Sequence, residues 1–200
     1  MGKPLHVGIF LFNEVELLDF AGPFEVFTVT AELSDDQLFK VFTITEDGKQ
    51  ISTVNGLRVV PDYGFANHLP IDLLIVPGGA GTKNEMTKAS VLKWVREQYE
   101  ISQITMTVCS GTRILGKLGL LDHLEIITHH EVIADMKEIS PKAIIKGNAR
   151  YTDNGKILTS AGISAGIELS LYVVDKLFGK VVADKTAIYI EYGNWKKLCK

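Results

Sequence analysis

The chain has 200 residues, of which 46% are apolar and 22% are charged, and its formal net charge is −3. This balance is that of an ordinary globular domain, and the weak negative charge gives no support for nucleic-acid binding. No apolar run approaches the roughly 20 residues that span a bilayer, and the N-terminal residues lack the pattern of a signal peptide. We therefore expect a single α/β domain over residues 1–200, soluble and cytoplasmic, that binds neither nucleic acid nor membranes.

The two cysteines of the chain stand in different surroundings. Cys109 follows an apolar stretch, whereas Cys199 lies next to the C-terminus, where we expect an exposed thiol without a role. A disulfide scaffold is not indicated, which suits a reducing compartment. No spacing of Cys, His and carboxylate residues is typical of a zinc site, so we expect neither a metal nor another cofactor.

Short apolar runs alternate with helical patterns along the chain. Strands are predicted at 5–12, 39–45, 72–76, 104–108, 124–128, 149–152 and 156–159, with a hairpin at 51–60 around Asn55-Gly56. Helices are predicted at 18–33, 90–100, from Gly111 to about 118, and at 131–138, 163–177 and 181–192. Strands that alternate with helices indicate a parallel sheet covered on both faces.

Ligands of an open parallel sheet bind beyond the carboxyl ends of its strands. The segments that follow the predicted strands bring carboxylates, glycine turns, a thiol and a histidine pair to that edge: Asn13 to Asp19, Gly78 to Gly81, Cys109-Ser110, Thr128 to His130, and Ser160 to Gly162. We expect these segments to meet and to form the functional site.

Cys109 stands at a tight turn from a strand to a helix, and Gly111 lets the chain fold back sharply. This is the pattern of a nucleophile elbow, with cysteine in place of serine. The positive end of the following helix would favour the thiolate and lower the thiol pKa. The alternative interpretation is a buried structural cysteine.

Asp19 lies in the apolar run Leu17–Ala21, where a carboxylate is costly unless it is paired or has a chemical role. Burial would raise its pKa and allow it to exchange a proton with a neighbouring thiol. The alternative is a helix N-cap, which the local sequence slightly favours.

Backbone and imidazole groups complete the predicted site. The turn at Gly78-Gly79 can direct N–H groups toward a ligand and form an oxyanion hole with the Ser110 N–H, although a plain turn is the alternative. His129 or His130 could act as a base, or both could be polar residues at the rim. Adjacent residues of an extended segment point in opposite directions, so we place only one of them in the pocket.

These residues resemble the DJ-1/PfpI superfamily, in the branch that holds isonitrile hydratases and the ligand domains of some AraC-type regulators. The matching segments occur in the family's order: LLDFAGPFEVF (17–27), LLIVPGGAG (73–81), VCSGTRILGKLGLL (108–121), ITHHEV (127–132) and TSAGISAGIELSLYVV (159–174). The resemblance implies a flavodoxin-like three-layer αβα sandwich with a mainly parallel central sheet, and a homodimer.

The resemblance also implies roles for individual residues. Cys109 is the nucleophile, Asp19 is the acidic residue that touches it, and Ser110 is a third catalytic residue. Gly79, Ala80, His129 and Ile163 are expected to contact the substrate. Since protease-like members carry histidine at the position of Ser110, the chain does not resemble a peptidase.

Three residues depart from the family's pattern. Arg113 replaces a small or apolar residue on the elbow helix, His130 stands where tryptophan is common, and Ile163 stands where glycine is common near the pocket floor. All three are expected to reshape the substrate pocket.

The leading hypothesis is a hydro-lyase that resembles isonitrile hydratase and acts on a small molecule through a thioimidate on Cys109. A second hypothesis is a Cys-dependent amidase or hydrolase with His129 as base, and glyoxalase-like chemistry at the same cysteine is a further one. A hypothesis of another class is a ligand-binding or redox-sensing domain without catalysis, because a reactive cysteine also oxidises readily.

Overall fold

The computed structural model describes residues 3–35 and 38–198. Cys199, for which the sequence predicts an exposed thiol, lies outside these ranges. The described strands are β1 (Leu5–Phe10), β2 (Phe39–Thr45), β3 (Ile51–Ser52), β4 (Arg58–Val59), β5 (Tyr63–Gly64), β6 (Leu73–Val76), β7 (Ile104–Thr107), β8 (Glu125–Ile126), β9 (Ile144–Ile145), β10 (Tyr151–Asp153) and β11 (Ile157–Ser160). The helices are α1 (Leu17–Glu32), α2 (Thr82–Glu85), α3 (Ala89–Ile101), α4 (Thr112–Lys117), α5 (Ile133–Ile139), α6 (Ala165–Phe178) and α7 (Lys180–Tyr189).

The central sheet has the strand order β10-β11-β7-β6-β1-β2-β5. All neighbouring pairs in it are parallel except β10 with β11, which form an antiparallel hairpin at one edge. Helices cover both faces: α1, α6 and α7 pack together, as do α4 and α5. The predicted three-layer sandwich with a mainly parallel sheet is therefore confirmed.

The core lies on both sides of the inner strands. Every residue of β6 and β7 is buried, as is β11, because helices cover both faces of the sheet. On the α3 side, the ring of Phe65 stacks on Trp94 with 4.1 Å between the ring centroids. On the α1 side, Phe27 meets Phe39 edge to face at 5.0 Å. Within the described residues, no helix is long and apolar enough to cross a membrane.

Several element boundaries differ from the sequence-based prediction. The predicted strand at 124–128 shortens to β8, which pairs with β9 outside the central sheet. The predicted hairpin at 51–60 is present, since β3 and β4 pair antiparallel, but five residues join the two strands. The edge strand β5 and the short helix α2 escaped prediction because two to four residues are too few to show a period.

The loop after β6 passes very close to the turn after β7. A methyl group on Gly78 would lie 2.5 Å from the Ser110 nitrogen and 2.7 Å from Asp19 Oδ2. Both neighbours belong to the main elements of the fold, one to the turn after β7 and the other to α1. The glycine is therefore required by close approach, and it lets three segments meet at one edge of the sheet.

We expect Gly78→Ala to lower the free energy of unfolding by about 2 kcal/mol, because the added methyl group overpacks this junction. The matched control is Gly147→Ala, since a methyl group there meets nothing within 4 Å. The control should change stability by less than about 1 kcal/mol. Denaturant unfolding of both variants measures the difference, and equal effects would contradict the close approach.

Candidate active site

Cys109 lies at a strained elbow directly after β7. Its φ is 55°, a left-handed conformation that non-glycine residues adopt rarely and at a cost of about 1–3 kcal/mol. Two threonine hydroxyls hold its carbonyl: Thr128 Oγ1 donates at 2.8 Å and Thr112 Oγ1 at 3.3 Å. The Cys109 N–H donates to the Ala161 carbonyl at 3.2 Å. The elbow geometry predicted from the sequence is thus present, and neighbouring segments fix it.

The Cys109 thiol is buried, and its surroundings disfavour the thiolate. Burial and the charge of Asp19 raise the thiol pKa from 9.0 to about 12, although the backbone N–H groups of Ile163 and Ser110 act in the opposite direction. The prediction that a helix end lowers this pKa is therefore wrong. Burial and the neighbouring carboxylate both disfavour the thiolate. Their effect on the thiol pKa is larger than the opposite effect of the two N–H groups.

Asp19 is the third residue of α1 and is fully buried. Its Oδ2 accepts the Gly78 N–H at 2.9 Å, while Oδ1 has no nitrogen or oxygen partner among the described residues. Burial raises the carboxyl pKa from 3.8 to about 7, and the charge of Glu16 contributes. The raised pKa agrees with the sequence-based expectation. The alternative of an N-cap is wrong, because the cap position belongs to Glu16.

Asp19 and Cys109 interact, so their titrations belong to the pair. Between about pH 7 and pH 12 the pair holds a single proton. Transfer of that proton from sulfur to carboxylate creates a thiolate and a neutral acid at the same moment. The arrangement therefore supplies a nucleophile and a proton donor together at neutral pH.

The predicted oxyanion hole is not open in this structure. The Gly78 N–H is bound by Asp19, and the Gly79 N–H donates to Ser110 Oγ at 2.9 Å. The third predicted donor, the Ser110 N–H, faces the Cys109 sulfur. Protein acceptors therefore occupy all three of these groups, whereas the sequence pattern suggested donors directed at a ligand.

A buried polar chain behind Ser110 was not predicted. Thr82 Oγ1 donates to the Gly79 carbonyl at 2.8 Å and lies 3.4 Å from Ser110 Oγ. Arg113 Nη1 donates to Thr82 Oγ1 at 3.0 Å, and the same guanidinium forms an ion pair with Asp135. The sequence analysis identified Arg113 only as a departure from the family's pattern. No feature of the sequence around Asp135 indicates that this residue pairs with Arg113.

A pocket of about 450 Å³ opens above the sulfur, and we call it the catalytic pocket. Six of the predicted residues line it: Gly79, Ala80, Cys109, Ser110, His129 and Ile163. Asp19 interacts with the Cys109 sulfur but is not part of this lining. The remaining lining is mostly charged: Glu16, Lys83, Arg113, Glu131, Val132 and Asp135. The structure therefore brings the predicted site residues together at one edge of the sheet.

Only one of the two histidines faces this pocket. The His129 side chain is 20% exposed, whereas that of His130 is 80% exposed. His129 Nδ1 accepts the Glu131 N–H at 3.3 Å, so in the neutral ring the proton lies on Nε2. The group that interacts with the sulfur is Asp19, and His129 is not among the groups that influence the Cys109 pKa.

Metal ligation finds no support in the described ranges. No group of three or more His, Cys, Asp or Glu residues within residues 3–35 and 38–198 is arranged to hold a metal ion.

The buried carboxyl predicts a specific dependence of stability on pH. The folded protein keeps the Asp19 proton up to about pH 7, whereas the unfolded chain loses it near pH 3.8, so wild-type stability falls across this range. Asp19→Asn removes that loss. We expect the stability of the variant relative to wild type to increase by about 4 kcal/mol between pH 4 and pH 8.

Denaturant unfolding at several pH values measures this difference. Asp175→Asn is the control for removal of an exposed carboxylate, since Asp175 lies on the surface. A difference between Asp19→Asn and wild type that stays constant from pH 4 to pH 8 would contradict a buried, proton-holding Asp19.

Comparisons with known proteins identify the family of the chain. The family model for the DJ-1/PfpI family matches residues 6–176. The isonitrile hydratase of Pseudomonas putida is 30% identical over 191 residues, which cover 94% of this chain and 78% of that protein. The transcriptional regulator GbdR of Pseudomonas aeruginosa is 28% identical over 89% of this chain, which spans only 48% of the regulator.

A solved structure has the same fold. The crystal structure of a ThiJ/PfpI family protein from Pseudomonas syringae superposes with a TM-score of 0.85 at 24% identity, and the match covers 96% of this chain and 76% of that one. The fold, the strained cysteine elbow and the extent of the family match lead to one assignment. The chain belongs to the DJ-1/PfpI family.

Proposed function

We propose that the chain is a cysteine-dependent lyase that adds water to isonitriles and releases N-substituted formamides. The observation that carries the proposal is the buried Asp19–Cys109 pair, in which the carboxyl group interacts with the thiol and loses its proton near pH 7. Hydration of an isonitrile needs a nucleophile at the terminal carbon and a proton for that same carbon. The similarity to the Pseudomonas putida isonitrile hydratase supports this choice of substrate.

The first step forms a covalent intermediate. The thiol proton moves to Asp19, and the thiolate attacks the terminal isonitrile carbon to form a carbon–sulfur bond. The Asp19 carboxyl then delivers its proton to that carbon. The product is a thioimidate, R–N=CH–S–Cys109, and the carboxylate is ionised again.

The second step consumes water. The Asp19 carboxylate takes a proton from water as the water oxygen bonds to the thioimidate carbon, and it then passes this proton to the nitrogen. The remaining hydroxyl proton of the tetrahedral intermediate moves to Asp19 as the carbon–sulfur bond breaks, which releases R–NH–CHO. Asp19 then returns this proton to the thiolate, so that the starting thiol and carboxylate are restored. Ser110 lines the catalytic pocket, and its hydroxyl, which accepts the Gly79 N–H, orients the water or the substrate.

The structure gives less support to a hydrolase that uses His129 as base. His129 Nδ1 is engaged by a backbone N–H, and the donors that an acyl-transfer oxyanion requires are occupied. A ligand-binding domain without catalysis is the second candidate, because the chain aligns with nearly half of the regulator GbdR. A single domain, a cytoplasmic location and a homodimer stay predictions.

Cys109→Ala should lower kcat for isonitrile hydration by at least about 10³-fold, because the covalent route is lost. Asp19→Asn should lower it by about 10²–10⁴-fold, the usual contribution of a proton-transfer group. Formamide release from a small alkyl isonitrile is the measurement, with Cys199→Ala as the control of unchanged activity. Binding of isonitriles without turnover by the wild type would favour the ligand-binding candidate.

The pH dependence of kcat/KM should follow the first deprotonation of the pair. Below about pH 7 both groups are protonated, so no carboxylate is present to accept the thiol proton. We expect kcat/KM to fall about tenfold per pH unit below that value and to level off above it. A pH–rate profile that is flat from pH 5 to pH 8 would rule out Asp19 as the proton acceptor.

A further inference from the structure

A second cavity lies directly beside the catalytic pocket. This cavity, the side pocket, has a volume of about 380 Å³, and its lining includes Ile133, Arg150 and Ser164. The two cavities share two residues of their linings, His129 and Ile163. These two residues therefore lie between the side pocket and the space above the Cys109 sulfur, and we call them the wall.

The histidine half of the wall is held on two sides. The ring of His129 lies against that of His130 with 4.3 Å between their centroids. The ring also packs on Gly162, where a methyl group would lie 2.2 Å from His129 Cδ2. Because the ring fills the space that a side chain at position 162 would need, it has little freedom to move aside.

The isoleucine half of the wall is fixed by its backbone. Ile163 has a φ of 48°, a conformation in which a β-branched residue is a genuine outlier. Its N–H is directed at the Cys109 sulfur, so the backbone cannot relax without losing that contact. A β-branched side chain is also stiff about χ1, and Ile163 therefore presents a rigid surface to the pocket.

We propose that Ile163 determines substrate specificity by restricting the catalytic pocket to slender, unbranched substituents. The proposal rests on the proposed function for its substrate class. An isonitrile is linear at its carbon and nitrogen, so its substituent extends straight from the carbon bound to sulfur. A substituent that branches near the nitrogen meets the wall. Removal of the Ile163 side chain lets one of its branches enter the side pocket.

The test measures access to the sulfur independently of turnover. In a Cys199→Ser background, Cys109 is alkylated with iodoacetamide and with N-tert-butyl iodoacetamide, and the ratio of the two rate constants is determined at one pH. This ratio cancels changes in thiol reactivity. We expect Ile163→Gly to raise the relative rate of the bulky reagent by about tenfold or more, the effect of one or two methyl groups in a pocket.

Ile133→Ala is the matched control, because Ile133 lines the side pocket but not the catalytic pocket. It should leave the ratio unchanged. An unchanged ratio in a cooperatively folded Ile163→Gly variant would overturn the proposal. If the Ile163→Gly variant does not fold, the same ratio is measured in Ile163→Ala. Equal rates of alkylation of the wild type by the two reagents would also overturn the proposal.

Measurement of the turnover of n-butyl and tert-butyl isonitrile distinguishes failure of the proposed function from failure of the proposed role of Ile163. Both the proposed function and the role of Ile163 are supported if the wild type hydrates the n-butyl compound selectively and if the Ile163→Gly variant hydrates both compounds. Failure of the wild type to hydrate either compound rejects the proposed function, while the alkylation ratio still decides whether Ile163 limits access. Equal hydration of both compounds by the wild type rejects Ile163 as a specificity residue.

Discussion

The structure depends most on the burial of a carboxyl group next to a thiol. Neither Asp19 nor Cys109 is easily ionised where it lies, since burial raises the pKa of both groups. Burial disfavours the charged form of each group, but near pH 7 the pair has to carry only one negative charge after it loses one proton. A helix that begins at Leu17 and a strand that ends at Thr107 supply one member each, which ties the reactive group to the packing of the sheet.

The segments around this pair are specialised for positioning. The Cys109 elbow is strained, and it is held through its carbonyl by two buried threonines and through its N–H by the turn after β11. Ser110 is held by Gly79 and is linked through Thr82 to the Arg113–Asp135 ion pair. Strain that neighbouring contacts maintain is a common feature of functional sites, because it prepares a reactive group before the substrate arrives.

The sequence predicted the main elements and the set of residues that meet at the site, and it missed how the polar groups of the site pair with one another. The bounds of β2 were predicted correctly, and the Cys109 elbow follows from an apolar strand that runs into a glycine turn. The thiol pKa and the state of the Gly78 and Gly79 N–H groups were not predictable. The thiol pKa is set first by burial and then by the charge of Asp19, and the two N–H groups are occupied by Asp19 and by Ser110 Oγ.

The most direct test of the central claim is a ¹³C NMR titration of the Asp19 carboxyl carbon in the wild-type protein, assigned with Asp19→Asn. We expect this carbon to titrate with a pKa of about 7. Replacement of Cys109 by alanine should alter the titration, since the two groups interact. A pKa near 3.8 would show that the carboxylate is ionised without hindrance, and the account of a shared proton would then be wrong.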